Sequence, residues 1–194
     1  MTDLKLEVTY FEKSGPENLD KAMAIAKHFA DELQVKDIIL ASTTGTTAKK
    51  ALDLFDPDMY NVVVIAHSYY FVNSKVRQEF DEDLLKELQQ KGLKIHLGTH
   101  SMSGIERGLR IKKEPWIFVD LVARLLRKQF SDGIKVCIEI ASMAVDAGLI
   151  PDLDRDVICI GGSGRGADTV CLIKPAPTSE FDKLRVKAIL CKPL

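Results

Sequence analysis

The sequence predicts an α/β fold of three layers, α/β/α, built on a mainly parallel sheet with one or more antiparallel strands at its C-terminal edge. Short apolar runs of buried-strand type alternate with amphipathic helical stretches along most of the chain, which demands parallel strands and crossover helices. The last apolar runs are joined by Gly-rich or polar turns, and between the first two there is no room for a crossover helix. No linker rich in Pro, Gly or Ser divides the 194 residues, so 1–194 reads as a single domain.

Leu6–Phe11 reads as the first strand, and the turn signal Ser14-Gly15-Pro16 introduces a helix. Its apolar stripe is Leu19, Ala22, Met23, Ala26, Phe29, Ala30 and Leu33, with Lys21, Lys27, His28, Asp31 and Glu32 on the other face. Ile38–Ala41 is a buried strand, followed by the hydroxyl-rich Ser42–Thr47 and a short helix carrying Ala48, Ala51, Leu52 and Phe55. A third strand at Val62–Ala66 leads through a polar, aromatic stretch to a helix over Asp81–Lys91, with Asp81 as N-cap and Gly92 beyond its end. Lys94–Leu97 is the fourth strand. Pro115 starts a helix expected to bury Phe118, Leu121, Val122, Leu125 and Leu126 and to end in Arg127 and Lys128. Ser131-Asp132-Gly133 caps another, whose stripe is Val136, Cys137, Ile140, Met143, Ala144 and Ala147, stopped by Gly148 and Pro151. Val157–Ile160, Thr169–Ile173 and Val186–Leu190 complete the sheet.

Composition narrows the function. With 46% hydrophobic and 28% charged residues the chain is ordinarily globular, and at this length it can bury roughly 70% of its unfolded surface. A formal net charge of −1 shows no basic excess for nucleic acid or an anionic membrane, so small molecules are the expected partners. No apolar run spans a membrane and the N-terminus lacks the order of a signal peptide, so a cytoplasmic protein is expected. Cys137, Cys159, Cys171 and Cys191 are widely spaced in mostly apolar runs and read as buried thiols rather than disulfides or zinc ligands. A homo-oligomer is left open.

Ligands of open α/β sheets sit outside the carboxyl ends of the strands. Ser42, Thr43, Thr44, Gly45, Thr46 and Thr47 lie between a strand and a helix, where backbone N–H groups and five hydroxyls can meet a phosphate; one N-cap would need only one hydroxyl. The loop lacks the Walker A pattern, so nucleotide hydrolysis has no support. Gly161-Gly162-Ser163-Gly164-Arg165-Gly166-Ala167-Asp168 is a second candidate, whose glycines can form a concave backbone nest with Arg165 supplying a fixed charge. Its spacing and context do not fit a dinucleotide fingerprint. His67 and His100, the latter after Thr99, follow strands but have no acid at ligand spacing, and no metal is expected; His28 and His96 receive no role. Glu139 interrupts a well-buried helix, either bonding a ligand or loop amides or sitting at the helix rim. Tyr69, Tyr70, Phe71 and Trp116 can stack on a flat ring, although packing is the commoner use of such residues. No catalytic residue is assigned.

The segment Ser42-Thr43-Thr44-Gly45-Thr46-Thr47-Ala48 resembles the effector-phosphate loop of the pyruvate kinase C-terminal domain, with Thr44 in place of the usual Ser. Over nearly its whole length the chain looks like the stand-alone, uncharacterised prokaryotic family of pyruvate kinase C-terminal-domain-like proteins. The likeness runs through Tyr10-Phe11-Glu12, Thr44–Ala48, Glu139 with Ala144–Ile150, and above all Gly161–Asp168. That resemblance implies flavin mononucleotide (FMN) as the bound small phosphorylated molecule. It places the phosphate on the Ser42–Thr47 loop, the ribityl chain and ring against Gly162–Gly166 and the Thr99–His100 loop, and Glu139 as a polar contact. No pyruvate kinase activity is implied, because nothing resembles the catalytic barrel. If the protein is an enzyme, the flavin would carry the redox chemistry; the alternative is a non-catalytic module sensing a sugar phosphate.

Overall fold

The computed structural model describes residues 3–111 and 117–194. Pro115 and Trp116, given roles above, lie outside them. Among the described residues a seven-stranded sheet has the order β1-β7-β6-β5-β2-β3-β4, with β1 Thr9–Phe11, β2 Asp37–Ala41, β3 Asn61–His67, β4 Lys94–Gly98, β5 Val157–Gly161, β6 Thr169–Lys174 and β7 Arg185–Pro193. The pairings β5–β2, β2–β3, β3–β4 and β1–β7 are parallel, and β5–β6 and β6–β7 are antiparallel. Both antiparallel pairings are made by β6 and lie toward one edge, where the connections are too short for a crossover; β6 runs against the other six strands of the described sheet. The first strand is shorter than its apolar pattern: Leu6 packs against the core without joining the ladder.

Period-two alternation divides the core between two faces. Ile38, Leu40, Val62, Val64, Ile158, Ile160, Val170 and Leu172 face a layer that includes α1 Leu19–Glu32, α2 Thr46–Leu52 and α3 Glu82–Gln90. Ile39, Val63, Ile65, Val157, Cys159, Cys171 and Ile173 face α6 Asp132–Asp146 on the other side. The α1 stripe is as the spacing predicts, with Ala22, Met23, Ala26, Phe29 and Ala30 buried and Leu19 and Leu33 at its partly buried ends. Both predicted caps form: Asp81 accepts from the Leu84 N–H at 2.8 Å and Ser131 from the Ile134 N–H at 3.1 Å. All four cysteines are buried and free.

Two helices depart from expectation. The segment Ile105–Ile111 forms α4, a short helix with no buried residue, whose seven residues are too few for a clear period. Helix α5, Phe118–Gln129, does not bury the stripe assigned to it. Asp120 and Ala123 are its buried residues, Val122 and Leu126 are half-buried, and Phe118, Leu121 and Leu125 are exposed. The periodicity was real, but the buried face of α5 is turned from the centre of that stripe: Ala123 joins the cluster packed on α6, and Asp120 accepts from Arg110 Nε of α4 at 3.2 Å. No helix among the described residues is long and apolar enough to cross a membrane.

Helix α6 is enclosed almost all round, every residue from 133 to 144 except Val136 being buried. It can come so close because Gly133 has no side chain: a Cβ there would overlap the Thr169 side chain on β6. Gly133→Ala should therefore destabilise the protein by about 1–3 kcal/mol through overpacking. Urea unfolding should show a lower midpoint with unchanged slope; an unchanged midpoint would mean that α6 is free to shift.

Candidate functional site

The order of the sheet creates a switch point. From β2 the chain moves outward through β3 and β4, then returns to place β5 on the opposite side of β2. The loops after β2 and β5 thus diverge around one crevice at the strands' carboxyl ends, the usual ligand position in open α/β sheets. Register sets the loops level. Ala41 pairs with Ile65, so two residues on Thr43 comes level with His67, which itself pairs with Gly98 just before Thr99 and His100. Leu40 pairs with Ile160, bringing Ser42 level with Gly162. Neighbouring strands are about 4.8 Å apart, so these residues form one row.

A pocket of ≈ 330 Å³ opens above that row. Four threonines of the hydroxyl loop (Thr43, Thr44, Thr46 and Thr47) line it together with Ser42, and His67, Glu79, His100, Gly162, Arg165 and Gly166 supply the other polar wall. Ile65, Val72, Val136 and Ile140 give it an apolar part. The hydroxyls divide their work: Ser42 Oγ accepts from the Ala48 N–H at 3.3 Å in the first turn of α2, and Thr44 and Thr46 hydroxyls lie 3.2 Å apart. Gly45 adopts φ +94°, and a Cβ there would run into Phe80 and Leu84, so its role is to turn the chain and seat it on α3.

Beneath the pocket lies a buried ionic cluster. Glu139 is fully buried, and its Oε2 lies 2.7 Å from His100 Nδ1 and 2.6 Å from Lys135 Nζ, while Oε1 accepts from the Met102 N–H at 2.9 Å. Of the two readings its position allowed, the bond to a loop amide is the one observed, and the helix rim is ruled out. Burial pushes the Glu139 carboxyl up, but the His100 hydrogen bond and the Lys135 charge outweigh it and hold the pKa at about 2. Burial lowers Lys135, against the pull of Glu139. An ionised Glu139 makes His100 Nδ1 the protonated nitrogen, which leaves Nε2 as the free one; Nε2 is buried and has no partner among the described residues.

A second carboxylate serves His67. Glu79 Oε2 lies 3.3 Å from His67 Nδ1, and Oε1 accepts from Arg165 Nη2 at 2.6 Å. The two imidazoles are 5.0 Å apart between ring centroids, and Phe71 covers both at 4.0 and 5.2 Å, with the Arg107 guanidinium 4.1 Å above the Phe71 ring. Phe71 therefore packs on the histidines, while Tyr69 and Tyr70 are exposed.

Of the residues expected at the site, Ser42, Thr43, Thr44, Thr46, Thr47, His100, Gly162, Arg165 and Gly166 line this pocket. Glu139 stands behind His100, Thr99 borders a neighbouring hollow with His96, and Ser163 borders another with Lys13 and Arg127. Gly164, at φ +55°, turns the loop. That loop is tied down by Asp168, which accepts from the Gly15 N–H at 3.1 Å and from Thr169 Oγ1 at 2.8 Å. Reasoning from the sequence missed Lys135 and Glu79. Lys135 lies four residues before Glu139 on one helix, a spacing that signals an ion pair; Glu79 carries no such local signal. No protein-family model matches the chain.

Truncating Glu139 would strand Lys135 without a counter-charge, so Glu139→Leu should cost about 3–5 kcal/mol in unfolding experiments. The Glu139 pKa falls from an ordinary 4.5 to about 2 on folding, so its stabilisation is full above about 4.5 and is lost as pH falls toward 2. The stability advantage of the wild type over Glu139→Gln should shrink over that window. A constant difference would show that the carboxylate is not charged in the native state.

Proposed function

We propose that this chain binds FMN in the pocket above the carboxyl ends of β2 to β5. Thr43, Thr44, Thr46 and Thr47 would hold the phosphate, and Gly162, Arg165 and His100 would face the rest of the ligand. One observation carries this reading: the register of the sheet brings the hydroxyl loop, the glycine loop and both histidines around a single pocket at the switch point. The donor set suits a phosphate monoester, whose oxygens only accept hydrogen bonds, apart from the proton of its acid form. The four apolar side chains supply the partly apolar surface that a flavin requires, and the buried His100 Nε2, without a partner among the described residues, supplies a polar atom for a ligand to satisfy. A pocket of ≈ 330 Å³ is at the small end of the roughly 300–1,000 Å³ usual for such ligands, so FMN would fill it. FMN, when bound, supplies electron-transfer chemistry; the residues around it position and tune it. The likeness to the pyruvate kinase C-terminal-domain-like family adds to this reading.

The test is a fluorescence titration of FMN into the purified protein and into the Thr44→Val/Thr47→Val variant. Hydrogen bonds to a charged group contribute about 1.5–3 kcal/mol each, so the double variant should bind at least about tenfold more weakly. Equal affinities would overturn the assignment of the loop. Absence of FMN binding, with retention of inorganic phosphate, would favour a sugar-phosphate ligand.

A further inference from the structure

The charged groups lining the pocket, and the pair beneath it, are already spent on one another. Arg165 is bonded to Glu79 and Lys135 to Glu139, so these four groups sum to zero. A phosphate monoester brings nearly two negative charges at neutral pH. Hydroxyls and amides can donate hydrogen bonds to such a ligand but cannot neutralise it in a partly desolvated pocket. Two imidazoles, His67 and His100, line the pocket, and imidazole is the side-chain type whose charge can change near neutral pH.

His67 is the better placed of the two. It ends β3 level with Thr43 of the hydroxyl loop, whereas His100 lies one strand further out. Its Nδ1 already faces the Glu79 carboxylate. The groups acting on it are Glu79 from the loop after β3, His100 from the loop after β4, and Arg107 from α4; Arg165 reaches it only through Glu79, and Lys135 and Glu139 stand behind His100. Burial, the neighbouring His100 and Arg107 together push its pKa below the ordinary 6.5 against the pull of Glu79, so the imidazole is neutral above that pH. If Arg165 turns from Glu79 to the ligand, Glu79 loses its cation, and the group beside it able to replace that charge is His67.

We infer that His67 is the counter-charge for the ligand's phosphate: binding of a phosphate monoester draws one proton from solvent onto the His67 imidazole, which then pairs with Glu79. The inference rests on the pocket being a phosphate site, and it adds a selection rule. The site prefers a monoester dianion over the same molecule without its phosphate, and that preference grows as pH falls toward the range where His67 can be protonated.

The measurement is the affinity of FMN between about pH 6.5 and 8.5, where the phosphate is mostly dianionic, with riboflavin and inorganic phosphate as comparison probes. With one linked proton, FMN should bind up to about tenfold more tightly per unit fall in pH, riboflavin showing no such slope; inorganic phosphate, which itself leaves its dianionic form within this range, serves only to show that the site takes a phosphate. In His67→Gln the slope should vanish, with FMN affinity at the acid end dropping to the wild-type value at the alkaline end. Wild-type protein carrying ¹⁵N-histidine gives the same answer without a variant: at about pH 7.5, saturating FMN should convert the His67 resonances from neutral to imidazolium. FMN that binds with no pH slope, or with His67 remaining neutral while His100 gains the proton, overturns this inference and leaves the proposed function standing. If neither FMN nor inorganic phosphate binds, both fall together.

Discussion

The Glu139 carboxylate is the point on which the pocket's geometry depends. It lies on the most enclosed helix of the fold, in surroundings where an unpaired charge would be very costly, and its two oxygens are met by Lys135, His100 and the Met102 amide. Each partner transmits a constraint. Lys135 ties the charge to its own helix, His100 has its ring orientation and tautomer set, and the Met102 amide anchors the loop after β4. That loop carries His100 into the pocket wall and its other side, at Ser101 and Met102, borders an apolar groove with Phe118 and Val122 of α5. A buried ion pair is weak evidence for stability, but here its effect on position is explicit: it orients the imidazole, while the buried Met102 side chain and the Phe71 ring pack the loop and the histidine in place.

The sheet supplies the other half of the geometry. Parallel strands in register deliver their C-terminal loops to one height, and the reversal of direction at β2 leaves space between the loops of β2 and β5. Hydroxyls, glycines and histidines separated by more than a hundred residues in the chain become neighbours because the strands before them are neighbours. The buried strands are free of charge for most of their length, so the polar groups concentrate where the strands end.

Much of the fold was legible because it rests on local periodicity. The 3.6-residue stripe of α1, the two caps at Asp81 and Ser131, and the apolar runs of β2, β3 and β5 are each decided within a dozen residues. The same holds for the hydroxyl loop and the glycine loop, whose compositions exceed what a cap or a hairpin needs. Strand order was not legible, since adjacency of β5 to β2 follows from packing across the whole sheet. The face of α5 was misjudged because an apolar stripe says which side avoids water, not which flank a neighbouring helix can reach; Ala123 and Asp120, on that flank, decided it. Lys135 was readable in principle from its spacing to Glu139. Glu79 was not, because its partners Arg165 and His67 meet it only through the fold.

The rim and floor of the pocket differ in kind. The floor is made of strand ends and the enclosed helix α6. The rim is made of two loops that each contain a non-glycine residue in the left-handed region, Tyr70 at φ +60° and Arg165 at φ +68°, a conformation costing about 1–2 kcal/mol per residue. Those loops meet through the Arg165–Glu79 pair, and Arg165 itself is mostly exposed. The Glu79 carboxylate is mostly buried, so the guanidinium is the partner of this pair that solvent can reach, and the backbone that carries it is strained. Arg165 can therefore turn outward more readily than a group of the floor can move, and its pair with Glu79 is the first interaction an anionic ligand would compete for. A site arranged this way keeps its chemistry fixed at the depth of the histidines and leaves adaptation to the rim.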